Sequence, residues 1–287
     1  MGLVADCAEY SEDKNMLAWL YDEDRYPSGA AGGYVTKKIE NRQKYILFTI
    51  SDRESVSKEE YLKTGVPHLV ACFDIILSDD KTLRSYKRID RHEKAQGVKW
   101  YVFECMSEEN GWYNNQTYVD MMDKNAIHDF IETTHERYKK TVGDKFGNTV
   151  PAVFTDEPQI KIKGQKKFSD DLSDVIMPWT YDFSDTFSKY YGYDITERLP
   201  EIVWELSDHK PSLARYHYHD HVCERFASAF SDQCGEWCKN NGLHFSGHVM
   251  AEETLHSQTS AFGETMRLYR SFTIPGISNY LPCLCPN

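Results

Sequence analysis

The sequence predicts an α/β fold built on a parallel sheet. From residue 106 onward, helical and strand-like patterns alternate along the chain, which favours parallel strands joined by helical crossovers. Three strand candidates end in polar residues, beginning at Asp22, Asp156 and His248. Since chemistry in such folds sits at the carboxyl ends of the strands, these ends indicate one functional site.

The first half of the chain adds a region of different character. A weakly amphipathic helix (1–15) and a short apolar strand (16–21) precede a glycine-rich turn. Beyond it come three β-like stretches separated by charged turns, namely 45–50, 68–77 and 98–105. They predict an antiparallel β insertion. The predicted division is the first part of the parallel fold, the inserted β-rich subdomain and the remainder, at 1–43, 44–110 and 111–287.

In the second half, capping residues and spacing define the elements. Asp123 is a helix N-cap for 124–140, and Ser212 opens the longest helix, which extends to about Asn240. A further helix begins near Phe183, and a lysine-rich polar loop is expected over 159–180. The strand candidates here are 150–155, 243–248 and 271–277, with a weaker one near 117–122.

Composition excludes several classes of protein. The 287 residues include 33 Lys and Arg against 45 Asp and Glu, a formal charge of −12, which argues against a nucleic-acid partner. No apolar run approaches the ~18 residues that span a bilayer. No signal peptide is visible and the eight cysteines form no disulfide scaffold, so a cytoplasmic location is expected.

Two carboxylate motifs carry the predicted chemistry. Asp156 and Glu157 close an apolar strand, where desolvation can make one carboxyl group a proton donor while its neighbour stays ionised. Glycosidic bond cleavage needs this division of roles. The alternative is that these acids cap the following segment. His248 is followed by Glu252 and Glu253, either of which is a candidate second carboxylate or an ordinary residue at the start of the next helix.

A metal-dependent hydrolase is a further alternative. Its ligands would be His244, His248 and Asp156. Residues 217–221 read His-Tyr-His-Asp-His, so the His-Glu-x-x-His signature is absent. No cofactor is predicted, and the sequence does not indicate a divalent ion such as calcium.

Several segments together resemble a known group of enzymes. They are the stretch Trp19-Leu-Tyr-Asp-Glu-Asp-Arg-Tyr-Pro-Ser-Gly-Ala-Ala-Gly-Gly33 and the segments 114–120, 134–138, 153–158, 190–194 and 236–248. In this order they are similar to the TIM-barrel catalytic region of bacterial glycoside hydrolases related to the family 106 α-L-rhamnosidases. The resemblance implies a (β/α)₈ barrel, a carbohydrate substrate and carboxylate catalysis. It places Glu157 at the end of the fourth strand, where such barrels keep the general acid.

The extent of the chain departs from that group. The resemblance implies that strand 1 and strands 7 and 8 are missing, so an incomplete barrel is expected. Its exposed sheet edges predict self-association. A truncated barrel that binds sugar without catalysis is therefore an alternative to the enzyme, and a lost N-terminus would have removed any signal peptide.

These arguments lead to a defined set of site residues. The predicted catalytic residues are Glu157 with Glu252 or Glu253. For Asp24 and Arg25 the alternative is a structural ion pair at a strand end. The predicted substrate-binding residues are Trp19, Asp22, Asp24, Arg25, Tyr26, Asp156 and His248.

Overall fold

A computed structural model describes residues 1–164, 166–252 and 254–277 of the chain. The α-helices are α1 (Gly2–Asp13), α2 (Lys58–Thr64), α3 (Lys124–Thr133), α4 (His135–Val142), α5 (Phe183–Tyr191), α6 (Pro200–Val203), α7 (Leu213–Phe226), α8 (Asp232–Asn240), α9 (Leu255–Ala261) and α10 (Thr265–Tyr269). The strands are β1 (Leu20–Tyr21), β2 (Lys44–Thr49), β3 (His68–Leu77), β4 (Leu83–Ile89), β5 (Val98–Met106), β6 (Ala152–Asp156), β7 (Val175–Trp179), β8 (His244–His248) and β9 (Ile274–Pro275). Short 3₁₀ turns lie at Val35–Lys37, Ile39–Asn41, Gly111–Tyr113, Gly143–Lys145, Ile195–Glu197 and Ser207–His209.

A four-stranded parallel sheet has the order β1-β6-β8-β9. Alternation along β6 gives the sheet two unlike faces: Val153 and Thr155 are fully buried, whereas Phe154 and Asp156 are half-buried. Gly247 lets β8 lie against β6, since a Cβ at this position would be 2.0 Å from the carbonyl oxygen of Thr155. The sheet therefore has a sealed face and a face that polar side chains can line.

A second sheet is antiparallel and five-stranded, with the order β4-β3-β5-β2-β7. The antiparallel pairing expected for the strands of residues 44–106 is confirmed. The polar loop expected over 159–180 is wrong for the residues that form β7. This strand pairs with β2, from Lys44 opposite Trp179 to Phe48 opposite Val175. The predicted domain boundaries themselves stay a prediction.

Helices pack on the sealed side of the parallel sheet. The long helix predicted from Ser212 to Asn240 is confirmed as α7 and α8 joined by a π-helical turn at Ala227–Ser231, and Ser212 Oγ accepts from the Arg215 amide at 3.1 Å. The predicted Asp123 cap is also confirmed. Its helix is interrupted at Thr134, and α4 begins at the next residue, His135. No helix among the described residues is long and apolar enough to span a membrane.

The predicted (β/α)₈ barrel is wrong. A barrel needs its parallel strands to close into a ring, but the parallel strands of the described residues form an open sheet whose outer members are β1 and β9. β7, which follows β6 in the chain, turns away and joins the antiparallel sheet instead. The weak strand expected near 117–122 is reduced to a single bridge between Val119 and Arg42. The result is a mixed α/β fold with two separate sheets.

Candidate active site

The carboxyl ends of β1, β6 and β8 meet at one edge of the parallel sheet. Strand pairing sets Asp156 opposite His248 and Tyr21 opposite Phe154. Asp156 Oδ1 lies 3.0 Å from His248 Nε2, and Asp156 Oδ2 accepts a 2.8 Å hydrogen bond from the Tyr21 hydroxyl. The predicted convergence of these strand ends is confirmed, while the chemical roles of the residues stay a prediction.

Glu252 extends this row on the far side of His248. Its Oε1 is 3.5 Å from His248 Nδ1, an ion-pair distance. Its Oε2 accepts hydrogen bonds from the Tyr269 hydroxyl and, at 3.4 Å, from the Val249 amide. Glu252 is buried, so two donors and an imidazole surround a carboxylate that is removed from water.

The two tyrosines at the ends of the row respond to their carboxylate partners. Burial, followed by the hydrogen bond to Asp156, raises the pKa of Tyr21. Burial, followed by the hydrogen bond to Glu252, raises the pKa of Tyr269. Both phenols therefore remain protonated donors across the physiological range. Asp156 and Glu252 thus flank the His248 imidazole, and a tyrosine hydroxyl donates to each of these two carboxylates.

Glu157 follows Asp156 directly and leaves the strand in an unusual conformation. Its φ is +48°, in the left-handed region that residues other than glycine rarely adopt. Its amide donates a 3.1 Å hydrogen bond to the carbonyl oxygen of His248. Backbone strain of this kind concentrates at functional sites, where surrounding contacts hold it in place. Here the turn fixes Glu157 against the end of β8.

Glu253, the other candidate second carboxylate, lies outside the described residues. Glu252 is therefore the candidate for which the structure gives a position. It lies three residues before α9, in the loop that leaves β8.

Asp22 is fully buried, although it forms part of the wall of a cavity of about 310 Å³ that Glu23 and Asp24 also line. Its Oδ1 accepts a 2.5 Å hydrogen bond from Ser28 Oγ, and Ser28 Oγ in turn accepts from the Asp156 amide at 2.8 Å. Burial raises the pKa of Asp22 to about 8, against the opposing effect of the Ser28 hydrogen bond. Asp22 is thus connected to Asp156 through Ser28. Its predicted contact with the substrate stays a prediction.

Glu23 organises the glycine-rich loop after β1, a role that the sequence analysis missed. Its carboxylate accepts backbone hydrogen bonds from Gly29, Ala31 and Gly32 at 2.7–3.0 Å. Burial raises the pKa of Glu23, although these amide donors act in the opposite direction. Glu23 precedes these three residues by six to nine positions. That spacing does not identify the contact in the sequence, because it depends on the loop folding back over the carboxylate.

The remaining predicted binding residues lie on the exposed side of that loop. Asp24 and Arg25 form an exposed ion pair at 3.1 Å, the alternative considered from the sequence. Arg25 lies 5.7 Å from the ring centre of Trp112, which also packs edge-on against Tyr26 and donates to the Tyr26 carbonyl at 2.7 Å. Trp19 is likewise exposed, before β1. Arg25 and Tyr26 contact Trp112 and their own neighbours. Asp156 contacts a different set of side chains, namely Tyr21, Ser28 and His248.

A cavity of about 610 Å³ adjoins the segment that follows Glu157. Gln159 and Ile160 form part of its wall, opposite Tyr45 and Tyr113. Tyr118, also in the wall, donates a 2.6 Å hydrogen bond to the carbonyl of Ser28, the residue that holds Asp156 and Asp22. Tyrosine faces and side-chain amides are suited to ligands with apolar faces and polar edges.

The alternative metal site receives no support from the geometry. The His244 side chain is exposed and its Nδ1 lies 3.2 Å from Thr273 Oγ1. Across the part of the chain that the structure describes, no group of three or more His, Cys, Asp or Glu side chains could hold a metal ion.

Tyr21, Tyr269 and Ser28 are site residues that the sequence analysis did not single out. Strand alternation would have found Tyr21, since Leu20 is buried and the next residue must face the open side. Tyr269 and Ser28 reach the site only through tertiary folding.

Comparisons with known proteins give distant matches among solved structures and none among sequences. No family model matches the chain, and no curated protein matches its sequence. Among solved structures, the chain is similar to a rhamnosidase from Novosphingobium sp. PP1Y, with 18% sequence identity and a TM-score of 0.43. The similarity covers 68% of this chain and 17% of the rhamnosidase.

Proposed function

We propose that this chain hydrolyses a glycosidic bond at the carboxyl edge of its parallel sheet. The observation that carries the proposal is the row Asp156–His248–Glu252, with separations of 3.0 and 3.5 Å, beside the strained turn at Glu157. Several carboxyl groups in unlike surroundings are the arrangement that glycoside cleavage requires.

Each carboxylate has a distinct part in the proposed reaction. Glu157 donates its proton to the glycosidic oxygen as the bond to the anomeric carbon breaks. Glu252 is the second carboxylate, which either bonds to that carbon or takes a proton from the attacking water. His248 positions Glu252 and Asp156 relative to each other, and the Tyr21 and Tyr269 hydroxyls hold the two outer carboxylates.

The proposed sugar-binding surface is the 610 Å³ cavity beside Gln159. Tyr45 and Tyr113 offer aromatic surface to the apolar side of a pyranose, and Gln43 and Gln159 offer amides to its hydroxyl groups. The sequence resemblance to the α-L-rhamnosidases makes α-L-rhamnosides the first substrates to try.

The test is turnover of a panel of aryl glycosides and oligosaccharides by the wild-type chain and the variants Glu157→Gln and Glu252→Gln. The control is Glu132→Gln, which removes an exposed carboxylate from α3. The proposal predicts a loss of at least ~100-fold in kcat/KM on the oligosaccharides for each site variant and little change in the control. Sugar binding without turnover by the wild type would favour the non-catalytic alternative, and equal activity in all variants would refute the proposed roles.

A further inference from the structure

A second cavity, of about 790 Å³, gathers positive charge in an otherwise acidic chain. Residues 163–164 and 166–169 form one wall, and side chains from α6, α7 and α9 contribute to the others. Lys163, Lys166, Lys167 and Arg215 all line it, together with His219. The chain has a net charge of −12, so the overall composition does not account for a cluster of positive side chains at this cavity.

Three of these cations form no ion pair with a carboxylate of the described residues. Lys163 Nζ donates to the carbonyl of Thr259 at 3.0 Å. Arg215 donates to the carbonyls of Glu201 and Trp204 at 3.0 and 2.6 Å. Within the described residues, neither side chain forms an ion pair with a carboxylate.

Lys166 is the least satisfied of the three. Its ammonium group lies 4.1 Å from the Trp100 ring centre and 4.6 Å from that of Trp204. Its Nζ is buried and donates to no hydrogen-bond acceptor among the described residues. Two indole faces attract a cation but leave its three N–H donors unused.

The acids at the cavity are already engaged. Asp170 pairs with Lys81 at 3.0 Å, and Glu205 pairs with His209 at 2.8 Å. Burial lowers the pKa of Lys163 and of Lys166 to about 8. Asp171 and Asp170 offset the burial of Lys166 only in part, since its pKa is still lowered. A bound anion would offset more of this cost.

We propose that this cavity binds the compact oxyanion group, phosphate or sulfate, of a small-molecule ligand. The Arg215 guanidinium keeps N–H donors beyond those that bind the Glu201 and Trp204 carbonyls, and the two lysines offer point charges. Together these groups are suited to a tetrahedral dianion. The cavity has the volume of a small-molecule pocket, and the overall negative charge disfavours a nucleic acid or an anionic membrane as the source of the anion. This site is distinct in its residues from the one proposed for glycoside cleavage.

Calorimetric titration at low ionic strength provides the test, with inorganic phosphate, sulfate and a hexose phosphate as separate probes. Saturable binding of phosphate and sulfate is expected. Tighter binding of the hexose phosphate would identify the ligand as a phosphorylated sugar, and equal binding would identify the oxyanion alone as the recognised group. No saturable binding of any of the three probes would overturn the proposal.

Variants at Lys166 test whether anion binding depends on the positive charge of this side chain or only on its packing. Lys166→Met keeps the packing between the indoles and should weaken phosphate binding about tenfold or more, whereas Lys166→Arg should retain it within about threefold. The matched control is Lys161→Met: Lys161 lies in the same loop over the ring of Tyr45, but lines the other cavity. The proposal is wrong if Lys161→Met weakens binding as much as Lys166→Met, or if the Arg and Met variants at position 166 lose it equally.

Discussion

Replacing Asp22 with asparagine should remove a pH-dependent loss of stability. Asp22 is fully buried, and burial raises its pKa from 3.8 to about 8. Between these two values the folded chain keeps a proton that the unfolded chain has lost. Raising the pH through this window therefore favours unfolding. One pH unit corresponds to about 1.36 kcal/mol, so the four units amount to about 5 kcal/mol.

Asparagine has the shape of the protonated acid and does not titrate. The free energy of unfolding of Asp22→Asn minus that of the wild type should therefore grow by about 5 kcal/mol between pH 4 and pH 8, then level off. Other titrating groups are present in both proteins and largely cancel in this difference.

The measurement is urea denaturation of both proteins across the range from pH 4 to pH 9. Asp24→Asn is the matched control, because Asp24 lies two residues away and is exposed. Its difference from the wild type should be nearly constant with pH. A constant difference for Asp22→Asn as well would show that Asp22 is ionised in the folded protein and refute the reasoning.

Two further predictions concern the framework of the site. Gly247→Ala should destabilise the chain by at least about 2 kcal/mol in urea denaturation, because φ is +133° and the new Cβ would be 2.0 Å from the Thr155 carbonyl oxygen. Gly242→Ala, where φ is +69° but the space is open, should cost only about 1 kcal/mol, and equal losses would contradict the close-approach argument. Tyr269→Phe removes a hydroxyl donor from buried Glu252 and should cost about 1–3 kcal/mol of stability, while Tyr10→Phe, on the exposed side of α1, should cost nothing measurable. A Tyr269 variant as stable as the wild type would show that this hydrogen bond does not hold Glu252.

Pattern in the sequence predicts the elements that have a clear periodicity. β3, β5 and the long helix after Ser212 were predicted to within a few residues because apolar side chains recur at strand or helix spacing. β4 was missed because its exposed positions carry charges such as Arg84 and Lys87, so the strand resembles a polar turn. β7 was missed because it is short and contains Pro178 within a polar segment.

The partners of each strand could not be predicted in the same way. A resemblance in local motifs carried the expectation of a closed barrel, but closure depends on which strands pair, and β7 pairs with β2 instead of extending the parallel sheet. The expected self-association of an incomplete barrel stays a prediction.

The site residues at the ends of parallel strands could be predicted from the sequence. Those that reach the site through tertiary contacts could not. Parallel strands end at the same edge of a sheet, so Asp156 and His248 could be placed together in advance. In β1, the choice of Asp22 overlooked the alternation that turns Tyr21 toward Asp156 and leaves Asp22 buried. Ser28 and Tyr269 reach the site from loops and helices whose paths no local pattern specifies.

The central claim, that Glu157 protonates the leaving group, is tested most directly by the leaving-group dependence of Glu157→Gln. Kinetics would be compared for a dinitrophenyl glycoside, which needs little protonation, and an alkyl glycoside of the same sugar, which needs full protonation. The account predicts that the variant keeps activity on the dinitrophenyl substrate within about tenfold and loses at least ~100-fold on the alkyl substrate. An equal loss on both substrates would contradict it.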